Sequence, residues 1–316
     1  MAAQPLPFKS GAMSLPRFTM LHDTIAGDCS GCAGALRTAP PGVRVAMAAT
    51  FLLLLGVALF GGTESQHAMG QVQGSATRHP AIGPGFDHEH RTWTAVLGDY
   101  VKDGAVDYRG LAAYGQPALN GYLEALRAAS PGEATWTRDE RLAFWVNAYN
   151  AFAIRLILDH YPLTSIRSIG FLPLAAFRMK FIPLGAARRP ISLNTVENDI
   201  LRTHFQDPRI HFAIVCASRS CPELRAEAYR ASVVNDQLDT AARAFLGDRS
   251  KNRWDASSST LYLSSIFKWF RDDFERHSQT LPAFASRYLP SSHAAALTDG
   301  SVRIVFLDYD WSLNGR

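Results

Sequence analysis

The chain has 316 residues, a formal charge of +4 at pH 7 and 47% hydrophobic residues. This composition fits one or two globular domains and excludes a wholly disordered chain. The basic excess is small and includes no run of five or more Lys or Arg residues, so the sequence lacks the electrostatic footprint of a nucleic-acid-binding protein.

The first predicted element is an apolar segment that follows an irregular tail, residues 1–42. The segment, residues 43–60, begins at Val43, ends at Phe60 and carries one charge, Arg44. About 20 apolar residues span a bilayer, and the Lys and Arg residues before the segment favour an N-inside orientation. We therefore expect an inner-membrane anchor whose domain faces the periplasm. The alternative is a cleaved signal that releases the domain into the periplasm.

Residues 61–85 read as a polar linker, and residues 86–316 are long enough to form one sizeable core. The clearest helix in this domain begins after Thr137, which forms a capping-box pattern with Glu140. Apolar residues then recur on nearly all faces of the helix, so we expect a central buried helix that Pro162 terminates.

Two amides, Asn147 and Asn150, lie one turn apart inside this predicted buried helix. A buried amide without hydrogen-bond partners costs roughly 1–3 kcal/mol, so both must bind something. One interpretation is a structural clamp on a neighbouring loop, and the other is contact with a ligand.

Helices and strands follow without regular alternation, which predicts an α+β domain rather than a doubly wound sheet. Apolar periodicity indicates helices over residues 192–205 and 232–246 and strands over residues 260–263 and 302–307. Ser264 is suited to cap a further short helix.

The most informative stretch is the apolar run from Ile210 to Cys216, which continues through a polar loop to Cys221. The run is typical of a buried strand. Because strand side chains alternate, His211 and Cys216 would face opposite sides and be about 16 Å apart. A direct dyad of these two residues is therefore poor geometry, and His204 on the preceding helix is a second candidate base.

Three interpretations of the two thiols stay open. The pair could form a disulfide across the loop, which needs Cα atoms within about 7 Å. One thiol could be a nucleophile whose pKa Arg219 lowers. Both could also be reduced packing residues.

Charged residues outline a second candidate site. The carboxylates that flank apolar elements are Glu197, Asp272, Asp273, Asp308 and Asp310, and Lys268 lies among them. Asp308 and Asp310 follow a predicted buried strand, where binding loops often form. The alternative is that these residues form ordinary caps and ion pairs.

We expect no metal and no cofactor. Zinc bound by His204, His211, Cys216 and Cys221 would use suitable ligand types, but the alternating faces of a strand argue against it.

Several runs resemble the domain of unknown function 547 family, which occurs in bacteria and in plant proteins. They include residues 144–151, 192–194, 207–222, 237–239, 261–269 and 308–314. The resemblance spans roughly residues 88–316 and implies family membership rather than a reaction. Related intracellular plant domains imply that the paired cysteines need not form a disulfide. A papain-like or transglutaminase-like core is a looser resemblance, since the central helix here lacks the nucleophilic cysteine.

Two functions follow. The first is a thiol-dependent hydrolase or transferase, with Cys221 or Cys216 as nucleophile and His211 or His204 as base. The second is a non-catalytic binding or scaffold domain with a structural cysteine pair, in which the helix amides and the C-terminal aspartates line a groove. The sequence does not decide whether the protein is an enzyme, and either function would take a small molecule or a peptide.

Overall fold

A computed structural model describes residues 85–298 and 301–316. The predicted tail, the apolar segment 43–60 and all but the last residue of the predicted linker lie outside the described residues. Among the described residues, no helix combines the length and the apolar character that crossing a bilayer requires.

The first half of the described chain is helical. α1 and α3 pack together beside a two-stranded ribbon of β1 and β2. The elements of this half are α1 (Arg91–Tyr100), β1 (Val101–Lys102), β2 (Ala105–Val106), α2 (Tyr108–Gly110), a π-helix (Leu111–Gly115), α3 (Gln116–Ala128), α4 (Arg138–Asp159), a 3-10 helix (Ile166–Ser168), α5 (Ala175–Arg178) and a 3-10 helix (Ala186–Arg188).

α4 is the predicted central helix. The Thr137 hydroxyl accepts a hydrogen bond from the Glu140 amide at 3.2 Å, and the Glu140 carboxylate accepts one from the Thr137 amide at 2.7 Å. This reciprocal pair is the predicted capping box. Between Leu142 and Ile157 nearly every side chain is buried, which confirms a helix enclosed on all sides.

The second half adds a three-stranded sheet covered by short helices. β4 lies between β3, which is antiparallel to it, and β5, which is parallel to it. The elements are a π-helix (Thr195–Phe205), 3-10 helices (Pro208–Phe212 and Ala231–Val233), α6 (Val234–Gly247), β3 (Arg253–Asp255), β4 (Thr260–Ser264), α7 (Ser265–Trp269), α8 (Arg271–Ser278), α9 (Leu281–Ala285), α10 (Ser291–Thr298) and β5 (Arg303–Leu307). Helices with small sheets confirm the predicted α+β class.

The prediction of a buried strand from Ile210 to Cys216 is wrong. Pro208 opens a 3-10 helix that ends at Phe212, and the Asp207 side chain caps it by accepting from the Arg209 amide at 3.0 Å. The chain then runs irregularly to Cys216. A short apolar run that is buried all round carries no period, so it fits a buried strand or a buried helical turn equally well. His211 and Cys216 therefore do not lie on opposite faces of a strand.

Candidate functional site

The central helix positions the chain that leads into the two cysteines. The Asn150 side chain donates to the Ala213 carbonyl at 2.9 Å and accepts from the Val215 amide at 2.8 Å. Asn147 makes the same pair of bonds with the backbone of Tyr229, at 2.7 and 3.0 Å. Both buried amides therefore serve as clamps on backbone.

The loop between the cysteines, residues 216–221 (the thiol loop), is held by the C-terminal segment. The Arg219 amide donates to the Ser312 carbonyl at 2.8 Å, and the Ser220 amide donates to the Asp310 carbonyl at 3.1 Å. The Asp310 amide returns a bond to the Ser220 hydroxyl at 2.8 Å. The chain that follows β5 thus holds the thiol loop, while α4 holds the residues that lead into it.

The sulfur atoms of Cys216 and Cys221 lie at disulfide-bonding distance, with Cα atoms 6.3 Å apart. Three donors surround the Cys221 sulfur: the Cys216 amide at 3.1 Å, the Tyr309 hydroxyl at 3.2 Å and the Ser218 hydroxyl at 3.3 Å. The same two hydroxyls lie 3.3 Å from the Cys216 sulfur. Each hydroxyl has one proton, and the Ser218 hydroxyl also donates to the Tyr309 hydroxyl at 3.1 Å, so the protons are shared among these contacts. Hydrogen bonds to a sulfur favour its anionic form.

Cys221 borders an open groove of about 260 Å³, which Ser218, Arg219 and Lys251 also line. A second cavity of about 390 Å³ adjoins it, because both share Asp103, Gly104, Glu223 and Lys251. A molecule in contact with Cys221 would therefore have room to extend toward the wall of α6.

A second polar group centres on His211, which is buried. Its Nε2 lies 2.8 Å from the Asp273 carboxylate, and Arg202 holds the same carboxylate through bonds of 2.6 and 3.0 Å. Phe270 stacks on the ring with centroids 4.0 Å apart. Burial lowers the pKa of His211, against the opposing hydrogen bond to Asp273, so the ring is neutral and donates through Nε2. Burial raises the pKa of Asp273, but the bonds from His211 and Arg202 outweigh this and hold it low.

The other ring nitrogen of His211, Nδ1, has no hydrogen-bond partner and lies 4.0 Å from the Glu197 carboxyl. The Glu197 side chain is 15% exposed. Burial raises the pKa of Glu197 to about 7; Arg202 opposes the rise, Asp273 adds to it, and the bond from Tyr149 opposes it. Near neutral pH this carboxyl is therefore present in both its protonated and its ionised form.

Tyr309 lies at the thiol loop and within electrostatic range of Glu197. Its hydroxyl contacts both sulfurs. Burial raises the pKa of Tyr309, the bond with Ser218 opposes the rise, and the negative charge of Glu197 adds to it. The site therefore combines a sulfur pair, a phenol, a titratable carboxyl and an oriented histidine.

Residues 134–246 match the family described as protein of unknown function, DUF547. The chain carries a DUF547 domain. The matched segment contains the central helix, the π-helix that carries Glu197 and the thiol loop, and is shorter than the 88–316 range of the resemblance. No curated protein and no solved structure is significantly similar to the chain.

The structure places the remaining predicted side chains outside this network. His204 is exposed at the end of the π-helix, Lys268 is exposed on α7, and Asp308 is exposed after β5. Arg219 is exposed and lines the groove, and Asp310 caps the Ser312 amide at 2.8 Å.

Within the described part of the DUF547 domain, no group of three or more His, Cys, Asp or Glu residues is arranged to hold a metal ion. The zinc set considered from the sequence is therefore not assembled: His211 is engaged by Asp273, and His204 lies exposed.

Sequence reasoning missed Tyr309, Ser218 and Arg202. Tyr309 had a usable signal, because it lies between Asp308 and Asp310 just after a strand. In an extended chain successive side chains point to opposite faces, so exposed carboxylates at Asp308 and Asp310 place the Tyr309 side chain on the inner face. Arg202 and Ser218 have no comparable signal, since their roles depend on tertiary contacts.

Proposed function

We propose that the DUF547 domain is a thiol-dependent hydrolase or transferase with Cys221 as its nucleophile. The observation that carries the proposal is the convergence of three hydrogen-bond donors on the Cys221 sulfur at the edge of an open groove. A thiolate is the reactive form of cysteine, and donors that stabilise it lower the thiol pKa.

The reactive state is the reduced one. An external thiol reductant supplies two electrons and two protons to a Cys216–Cys221 bridge and gives two thiols. The Cys221 thiolate then attacks a carbonyl carbon bound in the groove, and a thioester forms as the leaving group departs with a proton. Water or an acceptor nucleophile breaks the thioester and restores the thiol.

Neither histidine considered from the sequence contacts a sulfur. His211 donates to Asp273 and presents Nδ1 to Glu197, and His204 is exposed. We therefore assign proton transfer to Glu197, whose pKa of about 7 suits a group that must both accept and release a proton. In this proposal the Tyr309 hydroxyl, which lies 3.2 Å from the Cys221 sulfur and within the field of the Glu197 charge, relays the proton.

The test is site-resolved alkylation of the reduced full chain by iodoacetamide, read as the mass of the peptide that contains Cys221. We expect modification with a midpoint well below the usual thiol pKa of about 8.5. The same peptide from chain alkylated in concentrated urea gives the reference for an unperturbed thiol. A Cys221 midpoint at or above that value, or a bridge that resists mild reductant, contradicts the proposal.

The second candidate is a non-catalytic binding or scaffold domain in which Cys216 and Cys221 form a structural bridge. The bonding distance of the sulfurs and the backbone bonds that clasp the thiol loop favour it. Closing so short a loop contributes about 2 kcal/mol to stability. The alternative is correct if reduction lowers the free energy of unfolding, measured in denaturant, by about 2 kcal/mol and if the Cys221 thiol has an ordinary pKa.

We also propose that the domain is exported, either anchored through residues 43–60 in the inner membrane or released into the periplasm. The proposal depends on the apolar pattern of that segment. Fractionation of cells that express the full chain tests it: recovery in the soluble cytoplasm contradicts both forms.

A further inference from the structure

One surface loop exposes an unusual amount of apolar side chain. The described residues include six exposed large hydrophobic side chains, and four of them lie within residues 171–179: Phe171 is 106% exposed, Leu172 72%, Leu174 39% and Met179 36%. Single exposed apolar residues are ordinary, whereas a contiguous group marks an interaction surface.

The loop formed by residues 170–174, here called the apolar loop, is held in this conformation from both sides. Ile169 and Ala176 are buried beside it. Gly170 has φ +83°, and a Cβ there would lie 2.7 Å from the Ala175 side chain, so only glycine fits. The Ala175 amide donates to the Leu172 carbonyl at 3.0 Å. Packing on both flanks therefore leaves Phe171 and Leu172 pointing outward.

The charge along the chain segment that carries the apolar loop has one sign. Residues 160–196 contain five Lys or Arg and no Asp or Glu. Of these cations, Arg167, Arg178, Lys180 and Arg189 are exposed, and none forms a salt bridge with a described residue. Apolar side chains flanked by cations match the interface of an anionic bilayer, because the apolar groups enter the headgroup boundary while the cations bind acidic lipids.

We propose that the apolar loop docks on an anionic membrane surface. Size and charge favour lipid over protein as the occupant. A stable protein interface takes about 20–30 residues a side, while a few apolar side chains and nearby cations suffice for interfacial lipid binding. The proposal does not depend on the thiol chemistry.

Contacts connect this surface to the candidate site. Arg167 lies over the Trp311 ring at 5.4 Å, and Phe177 of α5 packs on the same ring with centroids 6.4 Å apart. Trp311 in turn packs on Tyr309 at 4.6 Å, and Tyr309 contacts the sulfurs. Docking would therefore place the aromatic residues beside the thiol loop near the lipid headgroups.

The test uses the full chain with Phe171→Trp in vesicles whose acyl chains carry bromine, a contact quencher of tryptophan. Vesicles of phosphatidylcholine alone are compared with vesicles that also contain phosphatidylglycerol, and the signal of the unmodified chain is subtracted. The matched control is Tyr114→Trp, an aromatic position that is 82% exposed on the π-helix Leu111–Gly115. Both variants keep residues 43–60, so any membrane contact of that segment is the same.

We expect quenching of the tryptophan at position 171 in the anionic vesicles and none at position 114. Arg178→Gln with Lys180→Gln should weaken docking by about fivefold for each charge removed. The proposal is overturned if position 171 is not quenched, or if quenching is equal in neutral vesicles. A blue-shifted emission of the position-171 tryptophan before lipid is added would also overturn it, because a protein partner or a second copy would then cover the loop.

Discussion

At the scale of single residues, one phenol contacts a sulfur and lies within electrostatic range of a buried acid. Tyr309 lies 3.2 Å from the Cys221 sulfur and responds to the charge of Glu197. His211 is held through Nε2 by Asp273, and its Nδ1 lies 4.0 Å from the Glu197 carboxyl without a hydrogen bond. The histidine therefore faces the two carboxyls and contacts neither sulfur.

Tyr309→Phe removes one of the three donors at the Cys221 sulfur and keeps the ring. A hydrogen bond to a charged group contributes about 1.5–3 kcal/mol, so the Cys221 thiol pKa should rise by roughly one to two units. The measurement is the pH dependence of Cys221 alkylation in a Cys216→Ala background, which retains the position-216 amide and cannot form the bridge. Tyr288→Phe is the matched control, since the Tyr288 hydroxyl contacts Asp239 at 3.3 Å. An unchanged midpoint in Tyr309→Phe would remove the phenol from the site.

At the scale of elements, the sequence predicted helices and strands correctly where the pattern depends only on neighbouring residues. The capping box of Thr137 and Glu140 and the apolar period placed α4 correctly, and the same kind of pattern placed α6, β4 and β5. The prediction of a strand before Cys216 was wrong, because a run that is buried on all sides lacks the hydrophobic period that distinguishes a strand from a helical turn. Sequence reasoning selected the cysteines, His211 and Glu197, but it could not bring Asp273 or Tyr309 to them, because those contacts join distant parts of the chain.

Asn150→Ala tests how α4 holds the thiol loop. The change leaves the buried Ala213 carbonyl and Val215 amide without their partner, and each unsatisfied group costs about 1–3 kcal/mol. We expect that loss in the free energy of unfolding by urea. The control is Asn120→Ala on α3, an exposed amide that accepts from Arg155, which should stay within about 0.5 kcal/mol. Equal stability of the two variants would show that the clamp does not hold the loop.

At the scale of the whole molecule, two buried groups of the site link stability to pH in opposite directions. The pKa of Glu197 is raised from 4.5 to about 7 in the folded protein, so the folded state binds the proton more tightly between these values. Stability from this group is therefore present at acid pH and declines as pH rises toward 7. The pKa of His211 is lowered by burial, so its contribution is lost as pH falls below the unfolded value of 6.5.

Glu197→Gln separates these two effects, because it removes one titration and leaves His211 in place. Between pH 5 and pH 7.5, the free energy of unfolding of the unmodified chain should fall, relative to the variant, by about 2–3 kcal/mol, since one pKa unit corresponds to about 1.4 kcal/mol. Urea unfolding at several pH values measures the difference. Asp273 titrates below this window, because its pKa is held low, so it does not obscure the comparison. Parallel curves for the two proteins would mean that Glu197 is ionised across the whole range, and the carboxyl could then not exchange protons with the thiol site near neutral pH.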